Sequence, residues 1–390
     1  MSKIKFTDVI SFVGTTPAYF DGEKRYISTG AVDKFSIDGN AIEMITYSNR
    51  PSRANLAVRK SDIIFAKMAE TLKTLYIDDD LAENIYSTGF CAVRANEKRI
   101  TPECLYYLVS SPAFLIQKDK HASGATQRAI TNSGMTNIVV NVPPLTEQKD
   151  CIKKLKTVSL LIAYRKEQLS HLDQLVKSQF IEMFGDVESN SKKWMIGHLG
   201  DYMTLLTDFS ANGSYELLDS NVTMYDEPNY AVMVRTTDLE TDNLQEGIKY
   251  IDRKAYDLLS KSKLFGGELI MNKIGSAGKI YIMPFIDKPA SLGRNAFMFK
   301  FDERLNMTYL YAFLTSNYGT HEIQQYVRGA VTKTITKDST RRIRILVPPI
   351  ELQNEFARFV EQTDKSKFKI KQSLEKLETL KKALMQKYFG

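Results

Sequence analysis

Cysteine is scarce: Cys91, Cys104 and Cys151 are the only three in 390 residues. Thiols so few and so far apart fit neither a zinc site nor a disulfide framework, so buried free thiols in a reducing compartment are expected. Histidine is scarce too, with four scattered residues, and no acidic–lysine cluster of the nuclease kind stands out. No apolar run reaches bilayer-spanning length, and the opening MSKIKFTDVISF lacks the long apolar segment of a secretory signal. The expected location is the cytoplasm, with no membrane partner.

Two nucleotide-handling motifs are also missing. Adenine methyltransferases hold the extruded base with N/D-P-P-Y/F. The nearest string, Asn141-Val142-Pro143-Pro144-Leu145, has an insertion and no aromatic, and its later twin begins with Leu346. Gly275-Ser276-Ala277-Gly278-Lys279 is too short for a phosphate-binding P-loop, and Ile280 stands where Ser or Thr is needed. What remains is an ordinary folded composition, 43% hydrophobic and 25% charged, long enough for two or three domains. The net charge of +7 suits a polyanionic partner without identifying one.

The chain is a tandem repeat. GATQRAITNSGMTNIVVNVPPLTEQ from Gly124 and GAVTKTITKDSTRRIRILVPPIELQ from Gly329 align without a gap as far as Phe184-Gly185 and Phe389-Gly390. Of 64 aligned positions, 16 are identical. Upstream the match continues through Leu105-Tyr106 and Leu310-Tyr311, and the second copy carries about a dozen extra residues between its start and its middle. In each globular part, short apolar runs between turn signals predict strands: Ile63–Met68, Phe90–Ala95, Glu268–Gly275 and Ala296–Phe301. TPECLYYLVSS and NMTYLYAFLTS predict helices capped by Thr101 and Asn306. The expected fold is α+β, with two similar domains, residues 1–145 and 186–350, each followed by a spacer helix, residues 146–185 and 351–390.

After each proline pair comes a helix free of Gly and Pro. Leu155, Val158, Ile162, Arg165, Leu169, Leu172, Val176, Gln179 and Met183 recur in steps of three and four. Val360, Thr363, Lys367, Ile370, Leu374, Leu377, Lys381, Leu384 and Tyr388 do the same in the second copy. This is a heptad seam over about four heptads. Two such stripes in one chain bury each other most simply as an antiparallel pair about a pseudo-twofold axis.

Two similar domains related by a twofold suit the local dyad of duplex DNA, and diverged copies suit an asymmetric target in two parts. Small residues, hydroxyls, amides and cations around each Gly-Ala turn suit phosphate contacts. The candidate DNA-binding residues are Lys67, Lys120, Ser123, Gly124, Thr126, Gln127 and Arg128 in the first copy. In the second they are Lys273, Ser276, Lys279, Arg328, Gly329, Thr332 and Lys333. Lys118 and His121 beside the first turn, and Lys337, Arg341, Arg342 and Arg344 beside the second, enlarge the basic clusters. A hairpin turn with solvated lysines is an equal reading of Asn272–Ile280. A coiled-coil scaffold, or a DNA reader of a different defence system, is the alternative for the whole chain.

With its paired proline motifs, each followed by a coiled-coil helix, the chain resembles the specificity subunits of type I restriction–modification enzymes. Gly14-Thr15-Thr16-Pro17 and Ser61-Asp62-Ile63-Ile64 echo weaker motifs of the same family. The resemblance implies two target-recognition domains, double-stranded DNA as ligand and no catalytic residue or cofactor on this chain. It also implies two modification subunits bringing S-adenosylmethionine, and restriction (translocase) subunits bringing ATP and Mg. The exposed faces of residues 149–183 and 354–388 would be the platform for the modification subunits.

Overall fold

The computed structural model describes residues 2–125, 127–241, 243–244 and 246–390. The chain divides into two compact units, Met1–Gln168 with Ile370–Gly390, and Leu169–Lys369.

The first unit holds two four-stranded sheets. One runs Ile10–Val13, Phe90–Ala95, Ile63–Ala66, Thr74–Tyr76, antiparallel throughout. The other runs Glu43–Thr46, Glu23–Ile27, Ile85–Ser87, Ala54–Leu56, with Ile85–Ser87 parallel to Glu23–Ile27. Ser2–Lys5 forms a separate ladder with Val139–Val142 just before the proline pair. The second unit repeats this plan. Met203–Asp208, Ala296–Phe301, Leu269–Asn272 and Ile280–Ile282 form its antiparallel sheet. Lys249–Ile251, Ala231–Val234, Ala290–Leu292 and Lys263–Leu264 form the mixed one, and Met195–His198 pairs with Arg344–Val347.

Burial explains why the central strands read as apolar runs rather than as alternations. Ile63–Ala66 and Leu269–Asn272 are buried at every position, as expected of strands covered on both faces. Both are shorter than their sequence suggests. At Lys67 and Lys273 the backbone leaves the ladder, because each carbonyl accepts a hydrogen bond from a later segment, from Ile130 and Ile335 respectively, at 2.9 and 3.0 Å.

The proline pairs hand the chain from strand to helix. Lacking an N–H, proline ends the ladder. The Pro144 and Pro349 carbonyls then accept the first helical bonds, from Gln148 and Gln353. The two long helices, Leu145–Phe184 and Ile350–Phe389, are 40 residues each. Gln148 and Gln353, both 0% exposed, play one part in their two units. Gln148 accepts from the Thr101 amide at 2.8 Å and donates to the Arg99 and Pro143 carbonyls, both at 2.9 Å. Gln353 accepts from the Asn306 amide at 2.8 Å and donates to Arg304 and Pro348. One amide side chain thus joins the start of the long helix to the start of a short one, Pro102–Val109 or Met307–Thr315, whose caps are Thr101 and Asn306.

Within each unit the two helix segments run antiparallel. In the first, Cys151 and Leu155 share a core with Met385, Tyr388 and Phe389, and Lys166 lies 3.7 Å from Glu378. In the second, Phe180 and Phe184 meet Phe356, each with ring centroids 5.5 Å apart, and Asp173 pairs with Lys367 at 2.7 Å. Leu155 and Val158 are buried, and Ile162, Leu169, Leu172 and Val176 are half-buried, while most neighbouring positions are exposed. Val360, Ile370, Leu374, Leu377 and Leu384 are likewise half-buried. The charged members of the stripe are accommodated individually. Lys367 is paired, and Lys381 lies 5.7 Å from the Phe35 ring centre, where burial and the nearby Lys166 lower its pKa.

All three cysteines are free and buried, and burial pushes Cys91 up to about 12 and Cys151 to about 11. Cys104 and Cys151 occupy the places that Tyr309 and Phe356 hold in the second unit, so they fill core volume. Among the described residues, no helix is long and apolar enough to cross a membrane, and no cluster of His, Cys, Asp or Glu could hold a metal.

Candidate nucleic-acid interface

The repeated Gly-Ala turns have one construction. Ser123 bridges to Ala129 in the first unit, and Arg328 bridges to Thr334 in the second, so an equivalent bridge closes the Gly-Ala turn each time. Each loop docks on the segment that leaves the central strand. Met68 bridges to Ala129 and the Ala69 amide donates to the Arg128 carbonyl; Ile274 bridges to Thr334 and the Gly275 amide donates to the Lys333 carbonyl. Residues far apart in sequence, Lys67 with 123–130 and 273–276 with 328–335, are thereby brought together.

Glycine is required in these turns. Gly124 has φ +125° and Gly329 φ +105°, where L side chains are strained. A Cβ would lie 2.5 Å from the Gln127 carbonyl oxygen in one loop and 2.1 Å from that of Thr332 in the other.

The candidate side chains divide by their surroundings. Lys120, Ser123 and Gln127 are exposed, as are Ser276, Thr332 and Lys333, and none has a side-chain hydrogen bond or ion pair among the described residues. Thr126 lies outside the described residues. Arg128 is exposed and donates to the Asp119 carbonyl at 2.7 Å. Arg328 donates to the Gln325 and Val327 carbonyls at 2.5 and 3.0 Å. Lys67 is half-buried and donates to the Thr88 carbonyl at 3.0 Å. Lys273 is turned to Asp208 at 2.8 Å, and Lys279 pairs with Glu240. Asn272–Lys279 is a hairpin connection, closed by bonds from the Asn272 amide to Lys279 and from the Gly278 amide to Asn272.

Several neighbouring cations are structural. Lys118, only 1% exposed, donates to the Ala66, Met68 and Thr71 carbonyls, and burial lowers its pKa against the raising effect of Asp119. It ties the short helix Pro112–Lys120 to the end of the central strand. Lys337 joins Lys273 on Asp208, at 2.8 Å each. Burial disfavours the Asp208 anion, but the two lysines more than offset this and hold its carboxyl below the usual range. Arg344 forks onto buried Glu322, and Arg341 pairs with Asp338. A sequence reading counts all of these as one basic patch. The side chains left to an outside anion are fewer: Lys120 in the first unit, and Lys333 and Arg342 in the second.

Each unit also carries an arginine packed on aromatic rings, which the sequence alone does not single out. Arg50 lies over the Tyr47 ring at 4.1 Å, beside Tyr19 and Phe20. Arg294 lies 5.2 Å from the Phe209 ring centre and 5.8 Å from that of Tyr215.

Comparison with known proteins follows the same duplication. The family model described as the type I restriction modification DNA specificity domain matches residues 8–174 and again 192–381. The specificity subunit of the type I restriction enzyme MjaVIII of Methanocaldococcus jannaschii is 23% identical over 403 residues, covering 98% of this chain and 90% of that one. A putative specificity subunit of the type I restriction enzyme MjaX from the same organism is 23% identical over 320 residues, 77% of this chain and 70% of that one. The fold is shared with a chain solved in work on complex assembly and conformational transition of the type I R-M system (TM-score 0.60, 20% identity, 99% of this chain and 97% of that one). It is shared too with the type I restriction–modification S subunit from M. genitalium (TM-score 0.55, 14% identity, 100% and 96%). With two family matches that together span most of its length, this chain belongs to the type I restriction modification DNA specificity family.

Proposed function

We propose that this chain is the non-catalytic, DNA-reading subunit of a type I restriction–modification assembly, each unit binding one part of an asymmetric two-part duplex target. The observation that carries the reading is the duplicated loop. The same glycine turn, closed by equivalent bridges and docked on the same strand end, occurs in both units. A loop with small residues, free hydroxyls and unpaired cations suits phosphate oxygens, which position a protein without specifying sequence.

The chemistry belongs to partners in this reading. Two modification subunits bring S-adenosylmethionine and methylate adenine, and restriction (translocase) subunits bring ATP and Mg. The outer faces of the long helices receive the modification subunits. Exposed Leu160, Leu161, Tyr164 and Leu380 in the first unit, and Leu175, Ile181 and Phe368 in the second, support such a platform. The assembly acts in the cytoplasm, where its DNA is.

Long-read methylation mapping with and without the gene tests the proposal. Loss of adenine methylation at one asymmetric two-part motif on deletion is expected. An unchanged methylome in cells expressing an active partner methyltransferase would refute the modification role.

A further inference from the structure

The two glycine loops share their closing bridges and their Gly-Ala pair and differ at three side chains, Thr126, Gln127 and Arg128 against Val331, Thr332 and Lys333. Larger differences between the units lie outside the loops. Two side-chain clusters differ outright between the units, and each centres on an arginine.

In the first unit, Arg50 sits in the seven-residue connection between the strands Glu43–Thr46 and Ala54–Leu56. Its guanidinium lies 4.1 Å from the Tyr47 ring centre. Tyr47 is in turn braced edge-on by Tyr19, which is 72% exposed, and by Phe20. Arg50 has no carboxylate partner among the described residues, and its Nη1 is covered without an acceptor. A chain of hydrogen bonds ties this connection to the loop. The Thr88 amide donates to the Arg53 carbonyl, Lys67 Nζ donates to the Thr88 carbonyl, and the Ile130 amide donates to the Lys67 carbonyl.

In the second unit the corresponding connection contains the helix Arg253–Leu258 instead. The arginine comes from elsewhere. Arg294 occupies the register position that Thr88 holds in the first unit, beside Asn295, whose carbonyl accepts from the Lys273 amide. It lies near both the Phe209 and Tyr215 ring centres, at 5.2 and 5.8 Å, and is paired with Asp219 at 3.1 Å. Tyr215 and Asp219 belong to the helix Tyr215–Asn221, in the stretch where the second unit is the longer.

We infer that Arg50 and Arg294 are the base-reading side chains of the two units, each presenting its guanidinium edge to a guanine in its own half-site. This rests on the DNA-reading function proposed above. An arginine packed against an aromatic ring loses little freedom when its N–H groups engage, and the fork matches guanine O6 and N7. Arg50 gains most, since among the described residues no carboxylate competes for its guanidinium, whereas Arg294 shares its fork with Asp219. Lysines on a shared loop give affinity common to all DNA; two arginines set in unrelated frames give each half its own sequence.

The test uses the full chain co-expressed with its modification subunit, in wild-type form and as Arg50→Ala, Arg50→Lys and Arg294→Ala. Methylation mapping reads which base pairs are still required. Fluorescence anisotropy compares a duplex carrying the mapped motif with a scrambled duplex. Each arginine variant should weaken binding to the motif by on the order of tenfold or more and bind scrambled DNA far less affected. Arg50 and Arg294 variants should relax a single G·C position each, in opposite halves of the motif. Arg50→Lys keeps the charge, and so decides the matter should Arg50→Ala fail to fold. Equal losses on both duplexes, with the salt slope falling by about one, would make these residues phosphate contacts and overturn the inference. So would unchanged motifs. A wild-type chain that directs no two-part methylation and binds no DNA would instead refute the broader function.

Discussion

Replacing Gln148 by alanine tests whether one buried amide side chain holds the two helix starts of the first unit together. The substitution removes three hydrogen bonds and leaves the Thr101 amide and the Arg99 and Pro143 carbonyls without a partner. A buried polar group left unsatisfied costs about 1–3 kcal/mol, so three would reach an upper bound near 9 kcal/mol. The Thr101 and Arg99 groups are only part-buried, so water meets at least two of the three, which lowers the expectation to roughly 1–3 kcal/mol. For a unit of this size that corresponds to a melting shift of about 2–12 °C. Gln353→Ala removes the equivalent bonds in the second unit. Chemical denaturation followed by hydrogen exchange resolved to peptides is the suitable assay. Gln148→Ala should lower protection in residues 99–109 and 143–155, and Gln353→Ala in 304–314 and 348–360. A loss under about 1 kcal/mol in both variants would refute the reasoning, because the glutamines would then be incidental to the joint.

Three further predictions concern the interface. Gly124→Ala and Gly329→Ala should each distort one loop at a cost of about 1–3 kcal/mol and weaken duplex binding, with the remainder of the unit folded; anisotropy with circular dichroism checks both halves of the statement. Gly124→Glu and Arg128→Glu should weaken duplex binding further by placing an anion at the loop. Lys120→Gln and Lys333→Gln, at exposed unpaired cations, should each reduce the slope of log K against log salt by about 0.9, measured between 50 and 200 mM salt. For Asp208 the folded pKa is depressed by its two lysines, so its contribution is present above the unfolded value near 4 and is lost as pH falls through the folded value. Asp208→Asn should therefore destabilise the second unit by about 3 kcal/mol at pH 7. That gap should narrow below about pH 4, and a gap unchanged down to pH 2.5 in denaturation curves would contradict the ion-pair assignment.

The features legible in the sequence are those with a period or a copy. The duplication shows through the ungapped match from Gly124 and Gly329. The helix stripe shows because Leu155, Val158 and Ile162 recur at heptad spacing, and solvent exposure follows the same spacing. The site was less legible, for a physical reason. Whether a cation is available depends on partners distant in the chain. Lys118 sits two residues from Lys120 yet ends on three carbonyls of the central-strand region, whereas Lys120 stays in solvent. Asp208 takes Lys273 and Lys337, which lie 65 and 129 positions away. Spacing carries no trace of such pairings. The final Gln of each P-P-x-x-x-Q run was visible as a repeated letter, while its part in joining two helix starts was not.

The first unit is discontinuous in the chain, and this reverses the order in which the protein can be completed. Every residue of the second unit, 169–369, leaves the ribosome before residues 370–390 of the first. At roughly 5–20 residues per second, the first unit waits on the order of 10–45 s for Met385, Tyr388 and Phe389 to cover Cys151 and Leu155. The half that is synthesised first is thus the half that finishes folding last, and through that interval its unfinished core is the surface a chaperone would meet.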